Sequence, residues 1–459
     1  MKSPSSRLNR RRFLGTAAAG VAAFQLPRFI PGEVLGAPGR PGANEQVNIG
    51  VIGVGSRAWD LLEILPKVPE ARVVAIADCS FPRTEETLKR FKADWRPYQH
   101  YRKMIDAEKL DAVMVPTREH QRVLTCIHAC QAGLDIFAEK PLALSIHEGR
   151  VLVQAVQKHR RVFQVDTQQR SVPIDKWACE FIEGGGIGKV HTVIGAHYPG
   201  TLPMPPLGQS SVPEGLDWDL WLNQCPWHPY SETLHKRYKG PVFTRSNISV
   251  GHWHRYGTGE VGNLGAHGLD MIQFALGASE SGPVEVWPLT SEYSDDLDRR
   301  IYFCPVAMRY PSGAVVRLER RDGDNQAWNW SGAIFIGDQG KIEIKRNALA
   351  ANPKELIASA PPPGRDGIEE GSDTPRAYIT IEHIQNWIDC IKSREKPNAH
   401  EEIAQRTNTV IHLVLIARRL GRRLRWDPER EAFPDDSEAN ALLNPPRREG
   451  YELPAIADL

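Results

Sequence analysis

The stretch VNIGVIGVGSRAWDLLEILPKV, beginning at Val47, constrains the fold more than any other part of the 459-residue chain. A β-branched, apolar run of strand length meets a glycine-containing turn, and the residues after the turn have helical periodicity. The alternation then continues, with ARVVAIADCS reading as a second strand, DAVMVPT as a third and LDIFAEK as a fourth, and helical patterns between them. Each helix carries the chain back to the end where the next strand begins, so the pattern predicts a parallel, doubly wound α/β sheet.

After about Asp166 the pattern changes. KVHTVIGAHY, VAMRYPSGAVVRLER and GAIFIGDQGKIEI are strands in succession, several joined by short glycine-containing turns. Hairpins of this kind predict a large, mainly antiparallel open sheet, hence a second domain of α+β type. Two late helices follow: Ile384, Trp387, Ile388 and Ile391 share one face, and Asn398 with Glu401 offers a cap to the second. The Pro-rich, charged tail beyond Asp427 is expected to wrap the surface.

At its start the chain reads NRRRFLG, with Arg10 and Arg11 ahead of a short small-residue apolar run and a Pro/Gly-rich linker. That order predicts a twin-arginine export signal, cleavage near Ala37 or Ala43, and a periplasmic or otherwise extracytoplasmic protein delivered folded by the export machinery. A basic amphipathic start retained in the cytoplasm is the alternative. The run from Gly15 to Leu26 is well short of the roughly 20 residues a spanning helix needs. Residues 1–43 are therefore read as signal and linker, 44–166 as a nucleotide-binding domain and 167–459 as a substrate domain with the tail. A net charge of +1 gives no electrostatic case for nucleic acid, and ARRLGRRLRW is better explained as the polar face of a helix. Seven scattered cysteines make no disulfide framework; Cys126 and Cys130, four apart in a helical pattern, read as small core residues.

Within the first turn, Gly53, Gly55 and Ala58 have the spacing G-x-G-x-x-A. Gly53 permits the tight turn, Gly55 lets backbone approach a pyrophosphate, and Ala58 allows the helix to pack closely, with its N-terminus toward the anion. Such turns also occur without ligands, but Asp78 ends the second strand, where a carboxylate accepts hydrogen bonds from an adenosine ribose. A carboxylate there repels a 2′-phosphate, which favours NAD over NADP, although Arg83 lies close by in sequence. The alternative for Asp78 is a plain strand-end cap.

At FAEKPLAL the chain resembles the Gfo/Idh/MocA oxidoreductases, the glucose-fructose oxidoreductase and inositol dehydrogenase family, and in particular its secreted bacterial branch. The resemblance continues through DAVMVPTREH, VDTQQRSVP, GLDWDLWLNQCPWHPY, GNLGAHGLD and WIDCIKSREKPNAHEE, in order and spacing. It implies a Rossmann domain, an open-sheet domain covering a nicotinamide, and a sugar or polyol between them. It places Glu139 and Lys140 beside cofactor and substrate, with Pro141 cis, and His120 near the cofactor with no assigned chemistry. It implies homo-oligomers associated through the open sheet. Bottom-up, a lysine ending an apolar strand sits where such sheets bind ligands, but alone it reads as a solvated strand-end residue.

The second constellation is Asn263, His267 and Asp270, at the start of the helix LDMIQFALG. Many relatives carry Asp at the position of Asn263. An amide cannot take a proton, which leaves His267 as the best general acid or base and Asn263 to orient a hydroxyl. Asp270 is either a substrate contact or a carboxylate matched to the helix dipole. Gln169, Arg170, Trp218, Trp221 and Tyr256 are candidate sugar contacts, with core packing an equal account of the tryptophans. The histidines of GHWHRYG make no closed ligand set with His267, so no metal is expected.

These residues predict an exported NAD(P)-dependent oxidoreductase acting on a sugar, polyol or glycoside. Outside a soluble cofactor pool it would have to retain NAD tightly. Two alternatives stay open: an NAD-assisted glycosidase or lyase working through transient oxidation with no net redox, and a non-catalytic sugar-binding protein with vestigial NAD.

Overall fold

Six short strands form the first sheet: β1 (Val47–Ile52), β2 (Ala71–Ala77), β3 (Arg96–Tyr98), β4 (Ala112–Val115), β5 (Asp135–Ala138) and β6 (Phe163–Val165). The computed structural model describes residues 41–42, 45–236, 248–319, 332–346, 348–362 and 377–459. Arg10, Arg11, Ala37 and Ala43, on which the export signal and its cleavage rest, lie outside the described residues. All neighbours in the first sheet pair in parallel, in the order β3-β2-β1-β4-β5-β6. The strand order reverses between β1 and β4, so the carboxyl ends of these two strands flank the crevice where such sheets bind ligands. Fully buried apolar runs such as Ala112–Val115 explain why both faces are covered by helices. The four strands legible in the sequence are all present. β3 and β6 escape notice because three residues carry no periodicity.

The second sheet has eight strands: β7 (Val190–Ala196), β8 (Glu285–Pro288), β9 (Val306–Arg309), β10 (Val315–Glu319), β11 (Ala333–Gly337), β12 (Gly340–Lys345), β13 (Ala348–Asn352) and β14 (Leu424–Arg425). Its order is β13-β12-β11-β7-β10-β9-β8-β14, and β7 with β10 is its parallel pair, the other described pairings being antiparallel. Helices Gly265–Ala275 and Glu401–Leu420 share one core with it, where Leu269 and Ile272 join Val193, Val316, Phe335 and Leu413. At roughly 25 cal/mol per Å² of apolar surface, such burial is the main term holding the helices on the sheet.

Both sheets belong to one compact unit, Val47–Leu459. The Ala377–Ser393 helix buries Ile384, Trp387 and Ile388, as its periodicity predicts, but against the first sheet's core, with Trp387 5.5 Å from Phe137. The following helix begins at Glu401 with His400 as its cap residue. Asn398 serves elsewhere, donating to Ser171 Oγ at 3.0 Å. The tail does return over the protein: Lys158 Nζ donates to the Ala457 carbonyl at 3.0 Å, and Leu459 packs beside Phe163. All seven cysteines are free, and burial pushes the Cys126 thiol up to about 12. Among the described residues, no helix is long and apolar enough to cross a membrane.

Candidate active site

The turn after β1 is built by backbone constraints. Gly53 has φ +88°, and a Cβ there would meet Thr117 Cγ2 at 2.9 Å and Thr117 Cα at 3.3 Å, so a side chain is excluded on two counts. Gly55 precedes the Ser56–Ile64 helix, with no side-chain cap and open space where its Cβ would lie. The first-turn amides thus lack a side-chain acceptor, an arrangement suited to a phosphate. Ala58 is 1% exposed and packs into the core. Asp78 accepts from the Val54 and Ser80 amides, both at 2.9 Å, and burial raises its pKa. It lines a cavity of about 50 Å³ with Gly53, Cys79, Gln99, Leu220 and Asn223. Arg83 is engaged with Glu86 at 3.4 Å.

On the other side of the turn opens a larger cleft, about 420 Å³, lined by Gly55, Arg57, Glu119, Glu139 and Lys140 from the first sheet's carboxyl edge and by His252, Tyr256, Asn263, His267 and Arg346 from the second half. Lys140 lies two residues past the end of β5, and the Lys140–Pro141 peptide is cis. Its amine donates to the Asn263 carbonyl at 2.6 Å and to Asn263 Oδ1 at 3.1 Å. Burial lowers its pKa; Glu139, Asp166 and Glu260 oppose the shift and Arg57 adds to it. Glu139 accepts from the Lys140 amide at 3.0 Å and from Arg57, which also reaches Asp166.

His267 enters from the Gly265–Ala275 helix and is 5% exposed, with Nδ1 buried and lacking a hydrogen-bond partner. Burial first, and then Lys140, Arg346 and Arg57, push its pKa well below the usual value. Burial among these cations favours the neutral ring. The residues fit a dinucleotide laid across the turn: Gly53 and the ribose-side carboxylate Asp78 line the small cavity on one side, and the uncapped helix end with the His267 imidazole lines the cleft on the other.

The remaining sequence candidates divide. Tyr256 lines the cleft and stands edge-on to His120 at 5.6 Å. His120 is buried, bonds the Trp221 carbonyl at 3.0 Å, and burial lowers its pKa to about 4. Trp218 stacks on Trp221 at 4.5 Å and donates to the His228 carbonyl at 2.7 Å, a core role rather than a place in the cleft lining. Arg170 and Asp270, expected as sugar contacts, are placed against each other. They bind each other at 2.7 Å, buried to 4% and 1% side-chain exposure, and neither lines the cleft. Gln169 is 2% exposed; its neighbour Gln168 takes the lining position.

Three groups escaped sequence reasoning. Arg57, inside the glycine turn, spans to Glu139 and Asp166. Glu119, one residue before His120, accepts from the Thr258 hydroxyl at 3.0 Å, and burial pushes its carboxyl up to about 7. Glu260, 2% exposed, accepts from Asn263 Nδ2 at 3.1 Å and sits 3.0 Å from His252 Nε2. The available signal was a carboxylate inside GEVGN, one helical turn before Asn263. Among the described residues, no group of three or more His, Cys, Asp or Glu could hold a metal ion.

Two family models match, described as the oxidoreductase family's NAD-binding Rossmann fold over residues 47–167 and its C-terminal alpha/beta domain over residues 204–453. The chain is 24% identical over 334 residues to levoglucosan dehydrogenase of Pseudarthrobacter phenanthrenivorans, covering 65% of this chain and 73% of that one. It is 27% identical over 154 residues to inositol 2-dehydrogenase of Salmonella typhimurium, covering 32% of this chain and 45% of that one. Two uncharacterized oxidoreductases it resembles are matched over 52% and 43% of their lengths, so the chain spans about half of these curated relatives. A solved levoglucosan dehydrogenase in complex with NADH and levoglucosan superposes with a TM-score of 0.57 at 18% identity, over 83% of this chain and 99% of that one, a likeness of fold.

Proposed function

The chain belongs to the Gfo/Idh/MocA oxidoreductase family, and from that premise we propose that it oxidises a hydroxyl-bearing carbon of a sugar, polyol or glycoside with NAD, as an exported protein that keeps its cofactor. The observation that carries this reading is the convergence of Lys140 and His267, far apart in the chain, on the cleft beside the Gly55 turn. The levoglucosan and inositol named for similar dehydrogenases support the substrate class.

NAD, when bound, supplies the hydride acceptor. The Gly53–Gly55 turn and the first turn of the Ser56–Ile64 helix would hold its pyrophosphate, and Asp78 its ribose hydroxyls. Two N–H bonds of Lys140 are committed to Asn263, so the remaining position on nitrogen is a lone pair in the neutral amine. Burial favours that neutral form, which lets Lys140 take the hydroxyl proton. His267, a neutral imidazole, donates or accepts at the same oxygen without adding charge, and Asn263 fixes the amine. General-base action of this kind supplies on the order of 10²–10⁴ in rate.

Retention follows from export, since each tenfold slower loss corresponds to about 1.4 kcal/mol of extra binding. The Asp78 carboxylate supports NAD over NADP, and we extend the reading to homo-oligomers formed through the open sheet. One observation favours a second reading: Glu119 provides another proton-holding group in the same cleft. Oxidation next to a glycosidic carbon, elimination and reduction would then release an aglycone with no net redox.

The test is to denature the purified protein, identify any nucleotide released, and incubate the native protein with sugars, polyols and glycosides. Stoichiometric NAD or NADH with a ketone product supports the first reading. Aglycone release without net change in nicotinamide absorbance supports the second. Substrate binding with neither turnover nor hydrogen exchange at any carbon overturns both.

A further inference from the structure

The geometry points to Glu260 as the positioning residue of the Lys140 site, its carboxylate fixing the Asn263 amide so that Oδ1 faces the amine. A primary amide has two ends of similar shape, and only its partners decide which end points where. Here the partners are unambiguous. Lys140 offers N–H donors to Oδ1 at 3.1 Å, and Glu260 Oε2 takes Nδ2 at 3.1 Å. Glu260 is held in turn. His252 Nδ1 lies 3.3 Å from the Ser249 amide, 3.1 Å from its hydroxyl and 3.2 Å from its carbonyl, and Nε2 faces Glu260 Oε1 at 3.0 Å. Ser249, His252, Glu260, Asn263 and Lys140 thus form one hydrogen-bonded chain that ends on the amine.

This arrangement turns the amide at 263 into a device. A carboxylate there would press directly on the ammonium and hold its proton. The amide supplies the same hydrogen bond without the charge, and the balancing negative charge sits one residue further back. Lys140 is also faced by Glu139, Asp166 and Arg57 from the first sheet's edge, by Glu119 from the next helix and by His267 from the helix opposite. Arg118, Arg122 and Arg346 line the same cleft. Those groups set the background; the Glu260–Asn263 pair sets the orientation of the acceptor.

The inference rests on the reading of Lys140 as the base, but its test needs no substrate. The full-length protein is acetylated with acetic anhydride across a pH series, and the Lys140 peptide is quantified by mass spectrometry to give a titration midpoint. Glu260→Gln removes the negative charge behind Asn263 and no longer fixes which end of that amide faces the amine, so it should move the midpoint down by about one pH unit. The swap E260Q/N263D restores the amide–carboxylate pairing between positions 260 and 263 with the carboxylate now against Lys140, and should move the midpoint above native. Asn263→Ala, which leaves Glu260 and His252 paired, should also lower it. An unmoved midpoint in folded E260Q, or a swap at or below native, overturns the assignment. If E260Q does not fold, the swap and Asn263→Ala decide by the same criteria, and an unmoved midpoint in Asn263→Ala is sufficient to overturn it. Midpoints that shift as expected in a protein without dehydrogenase activity would leave the positioning intact and remove the functional reading.

Discussion

Two cations meet the same helical segment, seven residues apart, and are handled in opposite ways. Arg170 binds Asp270 through Nε at 2.7 Å and reaches the Asp270 carbonyl at 3.3 Å, while Thr407 donates to the other carboxylate oxygen at 2.8 Å and the Phe274 ring lies 4.7 Å away. Every charge there has an opposite, and the pair is sealed. Lys140 meets only neutral oxygens of Asn263 and lines an open cleft. A buried, fully matched ion pair is costly to break, whereas an amine held by neutral acceptors beside open space is placed to exchange a proton. The first pair serves the fold and the second the chemistry.

Asp270→Ala should break this contrast most severely, because it leaves Arg170 buried without a counter-charge. Removal of one partner from such a pair costs about 3–5 kcal/mol, read from urea unfolding. Lys140→Ala should do the reverse, with a rate loss on the order of a hundredfold or more and little change in unfolding midpoint. Near-native turnover of Lys140→Ala, or an Asp270→Ala protein as stable as the native one, would dissolve the distinction.

The contrast also explains what the sequence could and could not disclose. The glycine turn, Asp78, Lys140 and the helix opened by His267 were legible because each stands at a strand or helix end, where chain geometry dictates residue type. The pairing of Arg170 with Asp270 was not legible for a physical reason: polar residues beside a recognisable motif look alike whether they face a ligand or one another. Their separation of 100 residues hides the pairing. Glu260 was passed over because a carboxylate in a helix reads as solvated, and only the fold shows it 2% exposed between His252 and Asn263. The eight-stranded sheet was recognised as mainly antiparallel, but β7 and β10 are parallel neighbours separated in the chain by most of the site.

Glu119 sharpens the comparison from the anionic side, since it too is held by a neutral partner, the Thr258 hydroxyl, and lines the same cleft. Burial raises its folded-state pKa to about 7 from the ordinary 4.5 of a glutamate, so the folded protein binds this proton more tightly than the unfolded chain. The stability it contributes is complete below about 4.5 and is lost as pH rises through about 7. Glu119→Gln keeps the shape and cannot ionise. Above neutral pH it should be more stable than the native protein by on the order of 1–2 kcal/mol, a value reduced for water at the cleft wall. At pH about 4 the two should coincide, because both side chains are then neutral. Urea unfolding at the two pH values makes the comparison. Equal stabilities throughout would mean that the Glu119 carboxylate is as well matched as Asp270, and that the cleft holds one titratable base rather than two.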